Sequence, residues 1–178
     1  MSTPSPRSSR GNPSMGDILR TVAVLGLLIV VLWGVGRFFT VTPDDPVRAD
    51  DYAQTADSAR EAASYALLAP PSLPEGWISN GARFDPSTDA WHLGVVTSDD
   101  DYIGLEQIDE DVDKVVERFT PQAEPDGETT IDGTTWTRLK APNGETTLVH
   151  RGADVTTLVT GDAPLDVMKS YVASLSAS

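Results

Sequence analysis

Hydrophobic and polar positions change rhythm several times along this chain. Residues 21–36, TVAVLGLLIVVLWGVG, form an uncharged run of 16. Adding Ile18, Leu19, Phe38 and Phe39 extends it to 22 residues, with Arg20 and Arg37 snorkelling outward. At about 1.5 Å per residue such a helix is about 33 Å long, close to the hydrocarbon thickness of a bilayer. Ser14 can cap it near Met15, and Asp17 suits its first turn. Beyond residue 50 the rhythm differs. Ala53, Ala56, Ala59, Ala63, Ala66 and Leu67 fall at helical spacing, which predicts a helix over 51–68, capped by Asp50 or Asp51 and ended by Ala69-Pro70-Pro71.

The pattern then shortens to period two. A strand is predicted near 77–84. AWHLGVV follows with Trp91, Leu93 and Val95 on one face, and YIGLEQI comes after a turn at Asp99, Asp100 and Asp101. Val112, Val115, Val116 and Phe119 lie at i, i+3, i+4 and i+7, a short amphipathic helix. Asp132-Gly133 is the strongest hairpin signal in the chain. Pro142-Asn143-Gly144 turns into TTLVHR, and Gly152-Ala153-Asp154 turns into VTTLVT. A last helix carries Leu165, Met168, Tyr171, Val172 and Leu175 on one stripe, with Asp162 or Ala163 as cap and Pro164 in its first turn. The expected fold is α+β: an N-terminal transmembrane helix, then one domain whose mainly antiparallel sheet has one face covered by helices.

Charge sharpens this layout. Residues 1–39 carry a net +3 and the remainder −17. Arg7, Arg10 and Arg20 precede the apolar run, and Asp44 and Asp45 follow it. The positive-inside bias therefore puts the N-terminus in the cytoplasm and the C-terminal domain outside the plasma membrane, a single-pass topology. A cleaved signal peptide is the alternative, with Gly34 and Gly36 before a cut at Arg37. No A-x-A site follows, and a cut after Thr42 would place Pro43 behind the scissile bond. The expected organisation is a disordered cytoplasmic tail at 1–14, a signal-anchor helix in the lipid bilayer at 15–39, a spacer at 40–50 and an extracytoplasmic domain at 51–178. No GxxxG motif supports helix pairing in the membrane.

Little points to catalysis. There is no cysteine and there are only two histidines, His92 and His150. A zinc site would need carboxylates to complete it. No G-x-S-x-G elbow, P-loop or dinucleotide fingerprint is present, so no cofactor is implied. Asp109, Asp111 and Asp113 have the first spacings of a calcium loop. Lys114 and Thr120 stand where Gly and Glu are needed, so a helix start explains the acids better. The acidity and the lack of a basic aromatic patch exclude nucleic acid as a partner. Trp77, Trp91, His92 and Trp136 are the candidate ligand or partner surface. Tryptophans on alternating strands more commonly fill a core.

The segments SMGDILRTVAVLGLLIVVLW, LAPPSLPEGWISNGARF, WHLGVVTSDDDYIGLEQ, IDGTTWTRL and LVTGDAPLDVMKSYVASL, in that order, resemble an actinobacterial family of single-pass membrane proteins known as domain of unknown function 4245. Leu73-Pro74-Glu75-Gly76-Trp77 and Trp91-His92-Leu93-Gly94 are its most specific parts. The resemblance implies a membrane-anchored protein facing the cell envelope and supplies no catalytic residue. The order of elements also looks like the Mog1/PsbP-type α-β-α sandwich, an analogy of fold alone. The expected function is a non-catalytic binding or accessory domain of the envelope, with an envelope protein as partner. The alternatives are a small-molecule or lipid carrier and, behind it, an envelope hydrolase using His92 or His150.

Overall fold

The computed structural model describes residues 16, 19, 20, 22–26 and 49–177. The chain divides into two compact units, residues 1–44 and Asp45–Ser178. In the first unit, residues 16, 19, 20 and 22–26 are helical. Among the described residues no helix is long and apolar enough to cross a membrane. Most of the span expected at 15–39, the tail at 1–14 and most of the spacer lie outside the described residues.

The second unit is built on seven strands: β1 (Ile78–Asp85), β2 (Ala90–Val96), β3 (Tyr102–Ile108), β4 (Glu124–Ile131), β5 (Thr134–Lys140), β6 (Thr146–Arg151) and β7 (Thr156–Gly161). They form one sheet in the order β1-β2-β3-β7-β6-β5-β4. Every pairing is antiparallel. The hairpins sit where the turn residues asked for them. Asp132 and Gly133 both adopt positive φ, 46° and 80°, the primed turn that matches strand twist. Asp100 (φ 66°) turns β2 into β3, and Gly144 (φ 92°) turns β5 into β6.

Three helices complete the unit: α1 (Ala49–Ala62), α2 (Val112–Phe119) and α3 (Leu165–Ser174). Alternation along the strands separates two faces. On the first, Trp91, Leu93, Val95, Ile103, Leu105, Leu148 and Val159 are buried with Tyr52, Ala56 and Ala59 of α1 and Met168, Tyr171 and Val172 of α3. On the second, Ile108, Leu139, Val149 and Leu158 pack with Val115 of α2. The expectation of one helix-covered face is thereby corrected. Leu158 and Val159 are adjacent and both fully buried, so β7 is apolar on both sides and each side needs a cover.

Two helix boundaries also differ from expectation. The first helix ends at Ala62 rather than Leu68, and it begins at Ala49, so Asp50 lies within it instead of in the spacer and Asp51 does not cap it. Beyond Ala62 the chain is drawn out along the sheet. The Ser64 amide and hydroxyl both donate to the Asp89 carboxylate. Tyr65 Oη donates to the Gln107 carbonyl (2.9 Å), the Leu68 amide donates to Gln107 Oε1 (2.6 Å), and Trp91 Nε1 donates to the Leu68 carbonyl (3.0 Å). Burial of Tyr65, Leu67 and Ala69 gives this strap a period of two, and these bonds override its alanine-rich helix propensity. In α3 the N-cap is Pro164, and Asp162 instead accepts the Tyr102 amide at 2.6 Å.

All four tyrosines of the chain ionise above the ordinary value of 10.0, chiefly because burial penalises the phenolate. Nearby carboxylates, Asp89 beside Tyr65 and Glu106 beside Tyr102, push the same way. Well below pH 10 these phenols are neutral in both the folded and the unfolded chain, so they leave stability unchanged. Above it the unfolded chain releases protons first, and stability falls as pH rises. Spectrophotometric titration with parallel circular dichroism should show clearly less than half of the tyrosines ionised at the ordinary tyrosine midpoint while the sheet is intact. A tyrosine ionising there in the folded protein contradicts the burial described.

Candidate functional site

The four candidate residues do not converge. Trp91 is fully buried on β2, its ring inside the first core and its N–H spent on Leu68. Trp136 is also buried in that core and tilts against the His150 ring at 5.5 Å. His150 Nδ1 lies 3.0 Å from the Thr135 carbonyl. These two tryptophans are packing residues, as the commoner role of strand tryptophans suggests. His92 points to the opposite face, because it follows Trp91 on the strand.

On that face His92 meets Glu106 of β3, directly across the ladder, with Nδ1 hydrogen-bonded to Oε1. Glu106 is only 7% exposed. Beside the pair, Tyr102 covers Gly94 and Gly104. A Cβ built on Gly94 would lie 2.9 Å from Tyr102 Oη and 3.5 Å from His92 Nε2. Glycine at both positions makes room for the phenol ring. A carboxylate-oriented imidazole is half of a general-base arrangement. Among the described residues no serine or threonine hydroxyl is bonded to either histidine, so the nucleophile half is missing.

Trp77 belongs to a different feature, a groove of about 310 Å³ between the segment 72–77 and α3. Pro74, Trp77, Val167 and Tyr171 give it an apolar lining. Ser72, Asp166, Ser170 and Ser174 supply its polar atoms. The indole of Trp77 stacks on Tyr171, centroids 6.1 Å apart and planes at 26°. A turn presents it: the Trp77 amide donates to the Pro74 carbonyl at 3.1 Å, with Gly76 at φ 82°. That positive φ explains the glycine in Pro-Glu-Gly-Trp. Val167, Ser170, Tyr171 and Ser174 recur at helical spacing, so one face of α3 forms the opposite wall.

Two serine hydroxyls of the groove are turned back on their own helix. Ser170 Oγ donates to the Asp166 carbonyl (2.9 Å) and Ser174 Oγ to the Tyr171 carbonyl (2.7 Å). Each hydroxyl proton is committed, and the lone pairs remain. Among the described residues the Asp166 carboxylate has no ion pair. Tyr171 is 3% exposed, and its hydroxyl has no hydrogen-bond partner among the described residues. Sequence reasoning found Trp77 and missed the rest of the groove. The i, i+4 serines Ser170 and Ser174 are the signal in the sequence, and they lie beside the more conspicuous apolar stripe of the same helix.

Parts of the acidic segments have structural partners. Asp109 pairs with Arg151 at 3.0 Å, and Asp111 is the N-cap of α2. Thr97 Oγ1 accepts the amides of Asp99 and Asp101 at 3.3 and 3.1 Å, shaping the turn.

The pairing on the second face yields a direct test. Glu106 has His92 as its one polar side-chain partner among the described residues. Replacing His92 with alanine strands a buried carboxylate, at a cost of about 1–3 kcal/mol. Urea denaturation should show that loss for His92→Ala and a smaller one for His92→Ala combined with Glu106→Gln. Equal losses would show that the carboxylate left at Glu106 carries no penalty of its own.

No curated protein and no solved structure matches the chain. A family of proteins of unknown function, DUF4245, matches residues 10–175. That match spans the groove, the His92–Glu106 pair and both core faces, and the chain belongs to this family.

Proposed function

We propose that this chain is a membrane-anchored, extracytoplasmic binding or accessory domain of the cell envelope, and that a partner protein docks in the groove of Trp77. The observation that carries the reading is the groove itself, where a Trp77–Tyr171 stack underlies an apolar, serine-edged depression. Apolar pockets with a few placed polar groups are the common form of binding sites. The anchor is supported by the uncharged run at 21–36 and by arginines confined to its N-terminal side and its end. The domain following it is held to a single-pass N-in topology in the plasma membrane. His92 and Glu106 act in this reading as a structural pair.

The experiment is photo-crosslinking in cells from Ser72 and, separately, Ser170 on the groove, with exposed Glu117 of α2 on the other sheet face as control, read by mass spectrometry of the membrane fraction. One protein captured reproducibly from both groove positions and not from Glu117 is expected. The same spectra should contain peptides of this chain from before Arg37. A mature start at or beyond Arg37 contradicts the anchor, and capture that ignores position contradicts the groove.

The volume of about 310 Å³ favours a second reading, a small-molecule or lipid carrier. In that case native mass spectrometry of the full chain, after exposure to envelope extract, would show a bound species that Trp77→Ala loses. An unliganded spectrum removes this reading.

A further inference from the structure

We propose that the groove seats an arginine side chain presented by the partner protein, with its guanidinium against Trp77 and its N–H groups held by Asp166 and the Ser170 oxygen of α3. The inference rests on the groove being the docking surface proposed above, and it assigns the chemistry of what docks.

Three independent properties of the groove converge on a cation with a flat, apolar body. The first is its hydrogen-bonding polarity. Ser170 and Ser174 spend their protons on carbonyls of their own helix, so they offer acceptors only. Asp166 offers two more and has no basic partner within ion-pair distance among the described residues. Lys169, three residues along α3, makes no ion pair with it. Arginine carries five donors and no acceptor, the complement of the Asp166 and Ser170 oxygens.

The second is the aromatic floor. Trp77 is half-buried and Tyr171 fixes its plane, so the indole that lines the groove is preorganised. A guanidinium stacks on an indole better than an ammonium does, and its weak hydration lowers the cost of entering an apolar cleft. Pro74 and Val167 give the aliphatic stem of the arginine something to pack on.

The third is charge complementarity on the scale of the domain. Residues 40–178 carry a net −17, which attracts a basic segment and repels an acidic one. Asp166 in the first turn of α3 also serves the helix dipole. That role leaves its oxygens accessible, because it needs no direct bond.

The test uses the full chain in uncharged maltoside micelles and a labelled, blocked peptide with one arginine among alanines and glycines. The comparison peptide has citrulline in place of arginine, which keeps the shape and removes the charge. Fluorescence anisotropy is expected to show the arginine peptide binding at least about tenfold tighter than its citrulline twin, with affinity falling as salt rises. Asp166→Asn, on an exposed side chain that leaves the fold intact, should erase most of that difference. Trp77→Phe should weaken binding less than Trp77→Ala.

Equal binding of the two peptides, or an Asp166→Asn chain that still discriminates between them, overturns the proposal. Displacement of the peptide by tetramethylammonium at equal concentration also overturns it, since the site would then take any soft ammonium ion. If position-specific crosslinking succeeds while the arginine peptide fails, this inference alone falls. If the crosslinking fails as well, the docking reading falls with it.

Discussion

The inner strand β3 holds both walls of the groove, one from each of its ends. At Gln107 the side chain accepts the Leu68 amide and donates to Thr157, while the main-chain carbonyl accepts the Tyr65 hydroxyl. These bonds pin the strap from Ser64 to Ala69 against the sheet. At Tyr102 the amide donates to the Asp162 carboxylate and the carbonyl accepts the Asp162 amide at 3.2 Å. That clasp sets where β7 ends and α3 begins. A reciprocal bridge then joins the walls directly: Ala69 and Ser176 exchange amide bonds of 3.0 Å each. A buried amide side chain with its carbonyl and N–H groups engaged is costly to replace, because any substitute strands several backbone groups. Gly161 belongs to the same constraint. A Cβ there would stand 2.0 Å from the Tyr102 carbonyl oxygen, so the clasp closes only around a glycine.

The two faces of the sheet are covered unequally, and chemistry follows cover. α1 and α3 bury the first face under aromatic and aliphatic side chains. α2 is only eight residues long and covers part of the second. The uncovered part is not apolar. It is filled by Tyr102 over two glycines, by the His92–Glu106 pair, and by Thr147, which links to Thr120 and Thr160 at 3.2 and 2.9 Å. A sheet face too wide for its helix is thus finished with mutually bonded polar groups. Such groups satisfy one another and need no ligand to explain them.

Much of the fold was legible in local pattern. β2 and β3 coincide with the alternating segments AWHLGVV and YIGLEQI, and the Asp132-Gly133 hairpin forms at its turn signal. α2 follows the change of period at Val112. What failed was the strap. Residues 63–68 carry a helical pattern of alanines, yet their conformation is decided by Gln107, about forty positions away. Nothing in the segment itself announces that bond. The division of helices between two faces was hidden for a related reason. Leu158 and Val159 are legible as a doubly buried strand only once β7 is known to be central. Of the candidate residues, Trp91 and Trp136 looked like Trp77 in sequence. They differ in position: two lie inside the sheet, whereas Trp77 follows a glycine turn at its edge.

The groove's chemistry depends on what the helix does with its own serines. In α3 a hydroxyl that bonds back to a carbonyl three or four residues earlier loses its capacity to donate. The same helix places its one first-turn carboxylate at the mouth of the apolar cleft. Together they turn a surface that would accept almost any apolar group into one that discriminates by hydrogen-bond polarity. An apolar ligand without donors gives those acceptors no hydrogen bond, which offsets part of what its contact area returns. A carboxylate would meet repulsion from Asp166 and from the domain's −17 excess. Specificity here arises from what the groove penalises as much as from what Trp77 attracts.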